Sequence, residues 1–167
     1  MVAAPHTSNW DFLYLYLLSK TLGTRIYWMG KEELFTGLLG PISRRLGGIP
    51  VKRSRSMNMV AQMVQAFAER DQLLLVVPPA ATRRKTDYWK SGFYHIARGA
   101  DVPVVLGFVD YGRKQAGLGP SFKLTGDVQA DMDKIRAFYA DIQGKFPQQK
   151  SVIRLKMEDE GGSGSFG

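Results

Sequence analysis

What most restricts the fold of this chain is its alternation of short apolar runs with longer segments whose apolar residues recur at helical spacing. Strand-like runs are Met1 to Ala4, Arg25 to Met29, Ile49 to Lys52, Leu73 to Val77, Val102 to Val109 and Phe122 to Leu124. Between them, Asp11 to Leu22, Met57 to Asp71, Tyr88 to Arg98 and Asp131 to Lys145 read as helices. In the last of these, Ile135, Phe138, Tyr139 and Ile142 follow the helical period. Gly40-Pro41 and Gly47-Gly48 cut the stretch after the second strand into shorter helical pieces, Lys31 to Leu38 and Ile42 to Leu46. Strands separated by helices are joined by crossovers, and crossovers connect parallel strands. The pattern therefore predicts an α/β fold, a mainly parallel mixed sheet flanked by helices.

A chain of 167 residues suits one domain with a substantial core, expected over 1–157. Residues 158–167 are expected to form a flexible tail, since Gly161-Gly162-Ser163-Gly164-Ser165-Phe166-Gly167 has linker composition. The longest apolar run, Phe12 to Leu18, is broken by tyrosines and falls short of the roughly 18 residues of a spanning helix. The first residues lack the charged head and apolar middle of a secretory signal. With no cysteine, a disulfide framework, a thiolate nucleophile and a cysteine-held metal are excluded, and a cytoplasmic setting is expected. The formal charge of +8 draws the protein to polyanions, whether nucleic acid, anionic lipid or phosphorylated substrates.

Three short blocks carry chemistry. In His6-Thr7-Ser8-Asn9-Trp10-Asp11, an imidazole stands just beyond a strand and a carboxylate near the start of a helix. An imidazole takes a proton from an attacking hydroxyl near neutral pH, and a carboxylate on its other nitrogen fixes the tautomer and stabilises the imidazolium. A protein nucleophile is unnecessary if the substrate brings the hydroxyl and a thioester brings the activated acyl group. The bare pair is also compatible with Asp11 as a simple helix N-cap. In the second block, Gly48-Ile49-Pro50-Val51-Lys52-Arg53, a short strand delivers two cations that suit a phosphate. Taken alone, the block reads better as a solvated basic surface extended by Arg44, Arg45 and Arg55. The third, Val76-Val77-Pro78-Pro79-Ala80-Ala81-Thr82-Arg83, is a strand and turn followed by Arg84 and Lys85, at the kind of strand end where open α/β sheets place ligands. Its blander reading is an ordinary strand-to-helix connection. His95 lies in a helix-like run without a motif and reads as structural, as do Met57, Met59 and Met63. No zinc, nucleotide or nucleic-acid motif is present.

In this order, the three blocks and the proline-containing strand Val102-Pro103-Val104-Val105 resemble the 1-acylglycerol-3-phosphate acyltransferases and related lysophospholipid acyltransferases, over roughly Val2 to Phe146. The resemblance implies a glycerolipid-acyltransferase-like fold, with acyl-CoA or acyl carrier protein as donor substrate and a lysophosphatidate-like acceptor. No cofactor or metal is expected. It also implies His6 as general base and Asp11 as its orienting partner. Arg53 then holds the acceptor phosphate with Lys52 as helper, Thr82 and Arg83 grip the same phosphate, and Gly48 allows tight backbone passage. A peripheral position on the cytoplasmic face of an anionic membrane follows, with no nucleic-acid partner.

The chain departs from the family pattern at Ala80 and Ala81, which stand where the family has Glu and Gly. The change removes a carboxylate and restricts the backbone at the second position, so an inactive or weakened acyltransferase is expected as one outcome. The alternatives are a catalytically dead phospholipid-binding protein and an acyl-thioesterase that uses water as acceptor.

Overall fold

Residues 1–5, 8–51, 56–82 and 84–161 are described in a computed structural model of the chain. Six strands form one sheet: β1 (Val2–Ala3), β2 (Ile26–Lys31), β3 (Gly48–Val51), β4 (Leu74–Val77), β5 (Val104–Asp110) and β6 (Gln115–Phe122). Their order is β3-β2-β4-β1-β5-β6. All neighbours are parallel except β6, which returns antiparallel along β5. The helices are α1 (Asn9–Thr21), α2 (Gly40–Arg45), α3 (Ser56–Ala68), α4 (Gly92–Gly99), α5 (Val128–Tyr139) and α6 (Lys156–Gly161), with 3-10 turns at Glu32–Phe35, Gly37–Leu39 and Pro147–Gln149. The sheet is the α/β arrangement expected from the alternating pattern.

Successive strand residues point to opposite faces, and the central strands are apolar on both. Met1, Ala3, Leu75, Val77, Val104 and Leu106 join Met63, Phe93, Ile96, Met132 and Ile135, from α3, α4 and α5, in one core cluster. Val2, Ala4 and Val76 turn the other way, where Leu15 of α1 covers them. β1 lies between β4 and β5, pairing Ala3 with Val77 and with Leu106. The loop leaving β1 therefore emerges at the middle of the sheet's C-terminal edge, beside the loop leaving β4.

Differences from the expected elements have local causes. The strand expected at Phe122 to Leu124 is the end of β6, which runs back to Gln115. Gly117, Gly119 and Pro120 disguise it, since glycine and proline have low strand propensity and proline is tolerated only where a strand lacks a partner on one side. β6 is an edge strand, and the rings of Phe108 and Phe138 occupy the space that side chains at Gly117 and Gly119 would take. The helix expected from Tyr88 starts only at Gly92, because Trp89 is drawn into extended pairing: its N–H donates to the Arg154 carbonyl at 2.7 Å. α5 begins three residues before the expected Asp131, where the Asp127 side chain accepts from Ala130 N–H at 3.0 Å as N-cap. It stops at Tyr139, and the Lys150 ammonium donates to the carbonyls of Tyr139 and Ile142 at 2.7 and 3.3 Å. α6 carries regular structure past the boundary read at residue 157, and the buried Glu158 carboxylate there accepts from Arg136 at 2.7 Å.

Candidate active site

The first block straddles the turn from β1 into α1. Ser8 is extended at φ −143° and ψ 157° and is the N-cap: its side chain accepts from Trp10 N–H at 3.3 Å. Asp11 is therefore not the cap. It occupies the third helical position, and its Oδ2 accepts from the Ser8 N–H at 3.0 Å, closing a capping box. The start of a helix favours a carboxylate there. Asp11 is 4% exposed, and its Oδ1 accepts from the hydroxyl of Tyr111 at 2.7 Å. Burial, and then this hydrogen bond to a carboxylate, push the Tyr111 phenol well above its ordinary range. His6 and Thr7 lie outside the described residues.

The third block lies alongside. Ala4 N–H donates to the Val77 carbonyl at 3.2 Å, so the loops after β1 and β4 leave the sheet side by side. After β4 the chain turns through Pro78-Pro79-Ala80-Ala81, closed by Ala81 N–H donating to the Pro78 carbonyl at 3.0 Å. Ala81 has φ +54°, so it adopts the left-handed conformation that the loss of glycine was expected to restrict. Ala80 is 4% exposed and belongs to the main core cluster. Thr82 is half-buried, and its hydroxyl accepts from Arg84 N–H at 3.2 Å. Arg83 lies outside the described residues.

The second block stands farther off. β3 is the opposite edge strand, separated from β4 by β2. Gly48 opens β3 opposite Trp28, and the place of a side chain there is taken by the Phe35 ring at 2.6 Å and the Ser43 carbonyl at 2.8 Å. It is at the far end of the strand from the edge where the first and third blocks meet. Lys52 and Arg53, after the last residue of β3, lie outside the described residues.

A cavity of about 410 Å³ opens between these loops. Asp11 lies in its wall with Leu15, Trp28, Met59, Val77, Pro79 and Phe93, and Lys90 is the one cation among the described lining residues. The volume and the largely apolar lining suit a small-molecule or acyl ligand. A second cavity of about 50 Å³ also touches Asp11 and is lined by Ala80, Trp89, Lys150 and Ser151. Asp11 thus stands between the two. Behind it, the buried Tyr139 hydroxyl lies 2.8 Å from both the Ala3 and Gly107 carbonyls, bracing β1 against β5.

Sequence reasoning missed Tyr111, Lys90 and Lys150. Tyr111 directly follows β5, the strand beside β1, so the strand-end rule applied to the third block would have reached it had β5 been read through Asp110. Lys90 and Lys150 carry no comparable signal, because packing among distant segments brings them to the cavities.

Comparison with curated proteins and with solved structures found no match. The family model described as Acyltransferase matches residues 1–106, from β1 into β5 and across all the blocks read from the sequence, and with more than half of its 167 residues matched the chain belongs to the acyltransferase family.

Proposed function

We propose that the chain transfers an acyl group from acyl-CoA or acyl carrier protein to a hydroxyl of a lysophosphatidate-like acceptor. What carries this reading is Asp11: a buried carboxylate, fixed by two donors at a helix start five residues after His6, in the wall of a largely apolar cavity. His6 takes the proton of the acceptor hydroxyl as its oxygen attacks the thioester carbonyl, and Asp11 stabilises the imidazolium. The tetrahedral intermediate expels the thiolate, which takes the proton back, leaving an ester and a free thiol. The thioester is already activated, so no cofactor enters. Arg53, Lys52, Thr82 and Arg83 hold the acceptor phosphate, and Gly48 supports the second block through close packing.

The test is transfer of a labelled acyl group from acyl-CoA to a panel of lysolipids. His6→Ala is expected to cost about a hundredfold or more in rate, and Asp11→Asn to impair turnover as well. Retention of the parent rate by His6→Ala ends the assignment. Release of free fatty acid without any acceptor favours the thioesterase. Binding of lysophosphatidate without turnover favours the catalytically dead lipid-binding protein, the reading that Ala80 and Ala81 support.

The acceptor is met at an anionic bilayer. Trp10, Leu13, Tyr14 and Leu17 stand 52%, 41%, 42% and 52% exposed, at the i, i+3, i+4, i+7 spacing of one helix face. Cations flank this stripe: Lys145 lies 5.3 Å from the Trp10 ring and 5.9 Å from that of Phe146, and Lys20 is 5.3 Å from Tyr16. Apolar and aromatic side chains bordered by lysine, on a chain of charge +8, match a negatively charged lipid surface. The same helix carries Asp11 in its first turn, which places the stripe next to the cavity.

A further inference from the structure

Tyr111 is the first residue of the turn between β5 and β6, and that turn is held firmly. The buried Asp110 side chain accepts from Gly112 N–H and Arg113 N–H at 2.9 and 3.1 Å, and Tyr111 N–H donates to the Gln143 carbonyl at 2.8 Å. The Tyr111 ring meets Tyr14 edge-on at 6.0 Å. These contacts leave the hydroxyl little freedom, and it lies 2.7 Å from Asp11 Oδ1 while Ser8 N–H holds Oδ2 at 3.0 Å. Each carboxylate oxygen therefore has its own donor, one from the N-cap of its own helix and one from a turn a hundred residues on. A carboxylate accepts about four hydrogen bonds, so this pair fixes its plane and leaves capacity for an imidazole N–H.

We infer that Tyr111 is a positioning residue of the acyl-transfer site, orienting the Asp11 carboxylate and moderating the basicity that Asp11 lends to His6. The inference rests on the proposed pairing of Asp11 with His6. Its physical basis is that a neutral donor draws negative charge off a carboxylate and so weakens the carboxylate's stabilisation of an imidazolium. Tyr111 stands outside the matched residues 1–106. Among the described residues, the other charged or titratable groups that line the two cavities with Asp11 are Lys90 in the larger and Tyr139 and Lys150 in the smaller. Tyr14 and Arg113 accompany Tyr111.

The experiment is NMR titration of histidine-labelled protein, which reads His6 whether or not the protein turns over. His95, exposed on α4, is the other histidine and serves as internal reference; His95→Asn assigns the two signals. Asp11→Asn is expected to lower the His6 pKa by about one unit, as loss of an adjacent carboxylate does. Tyr111→Phe keeps the ring against Tyr14 and is expected to raise it by about half a unit. If Asp11→Asn lowers the His6 titration while Tyr111→Phe leaves it unchanged or lowers it, the role of Tyr111 is overturned and the His6–Asp11 pairing stands. If Asp11→Asn does not move His6, the pairing itself fails. Should Tyr111→Phe not fold, tyrosine-labelled parent and Asp11→Asn proteins decide. One phenol silent through the ordinary titration range in the parent must return toward it in Asp11→Asn, and no such return overturns the inference.

Discussion

Ala81 holds φ +54° in the turn after β4, a conformation that costs an L side chain about 1–2 kcal/mol. Glycine has no such penalty but gives the unfolded chain more freedom, so Ala81→Gly is expected to stabilise the protein by roughly 0.5–1 kcal/mol net, read from urea unfolding. Because the turn already has its left-handed residue, this substitution should change the transfer rate little. Ala80 is a different matter. It is buried against the small cavity that Lys150 and Asp11 also line, so a glutamate there becomes a buried carboxylate with a cation in the same wall. Ala80→Glu is expected to raise acyl transfer above the parent without raising stability. The outcome that would sink this division is recovery of rate by Ala81→Gly alone. The sequence marks both positions as departures, but only the backbone angle and the burial separate a conformational strain from a missing charge.

At the scale of elements, the entry to α5 is organised by a carboxylate that no motif singled out. Asp131 is fully buried and accepts from Tyr94 Oη at 2.8 Å, from Thr125 N–H at 2.9 Å, from Thr125 Oγ1 at 3.0 Å and from Gly126 N–H at 3.2 Å. Burial opposes its charge, but these donors, led by Thr125 N–H, outweigh burial and hold the carboxyl below the usual range. Burial and the bond to Asp131 push the Tyr94 phenol up to about 12. Asp131→Asn turns an amide N–H₂ toward these donors and is expected to cost about 2–4 kcal/mol of stability. Because the folded pKa is depressed, the parent's contribution is complete above the ordinary carboxylate pKa of about 4 and is lost as pH falls below it. Parent and variant stabilities should therefore converge in acid; a gap independent of pH would rule out the charge as the cause. Such a network is invisible in sequence because its donors come from two separated segments, Tyr94 on α4 and the Thr125-Gly126 turn. The same reason hid β6, which takes its register from β5 and its packing from Phe108 and Phe138, and shortened α4, whose expected first turn pairs with residue 154. The central strands, by contrast, were legible to within a residue or two, because apolar runs buried on both faces need no distant partner to be recognised.

The whole molecule sets a parallel sheet's C-terminal edge, a +8 charge and one doubly apolar helix in a single frame. The topology was legible enough to bring the first and third blocks together, since parallel neighbours deliver their loops to one edge. The outer face of α1 was legible only in part: the stretch Trp10 to Leu18 reads mostly as core, with some of it able to face an acyl chain or a membrane interface, and α1 buries Asp11, Leu15 and Ser19 while leaving Trp10, Leu13, Tyr14 and Leu17 exposed. Among the described residues no helix is long and apolar enough to cross a membrane, and the proposed role of this stripe is attachment to a lipid surface. The protein is expected to sediment with phosphatidylcholine vesicles containing phosphatidylglycerol and far less with phosphatidylcholine alone. Each lysine or arginine near an anionic surface contributes about 1 kcal/mol, and that contribution is screened within a Debye length. Added salt should therefore release most of the bound protein. Trp10→Ser with Leu13→Ser and Leu17→Ser should weaken binding at every salt concentration, because it removes the apolar component while the charge stays the same. These side chains are exposed, so the triple variant should unfold at nearly the parent's urea midpoint. If the parent ignores anionic vesicles and the triple substitution instead converts a dimer to a monomer by light scattering, the stripe is a contact between copies of the chain rather than a lipid-facing surface.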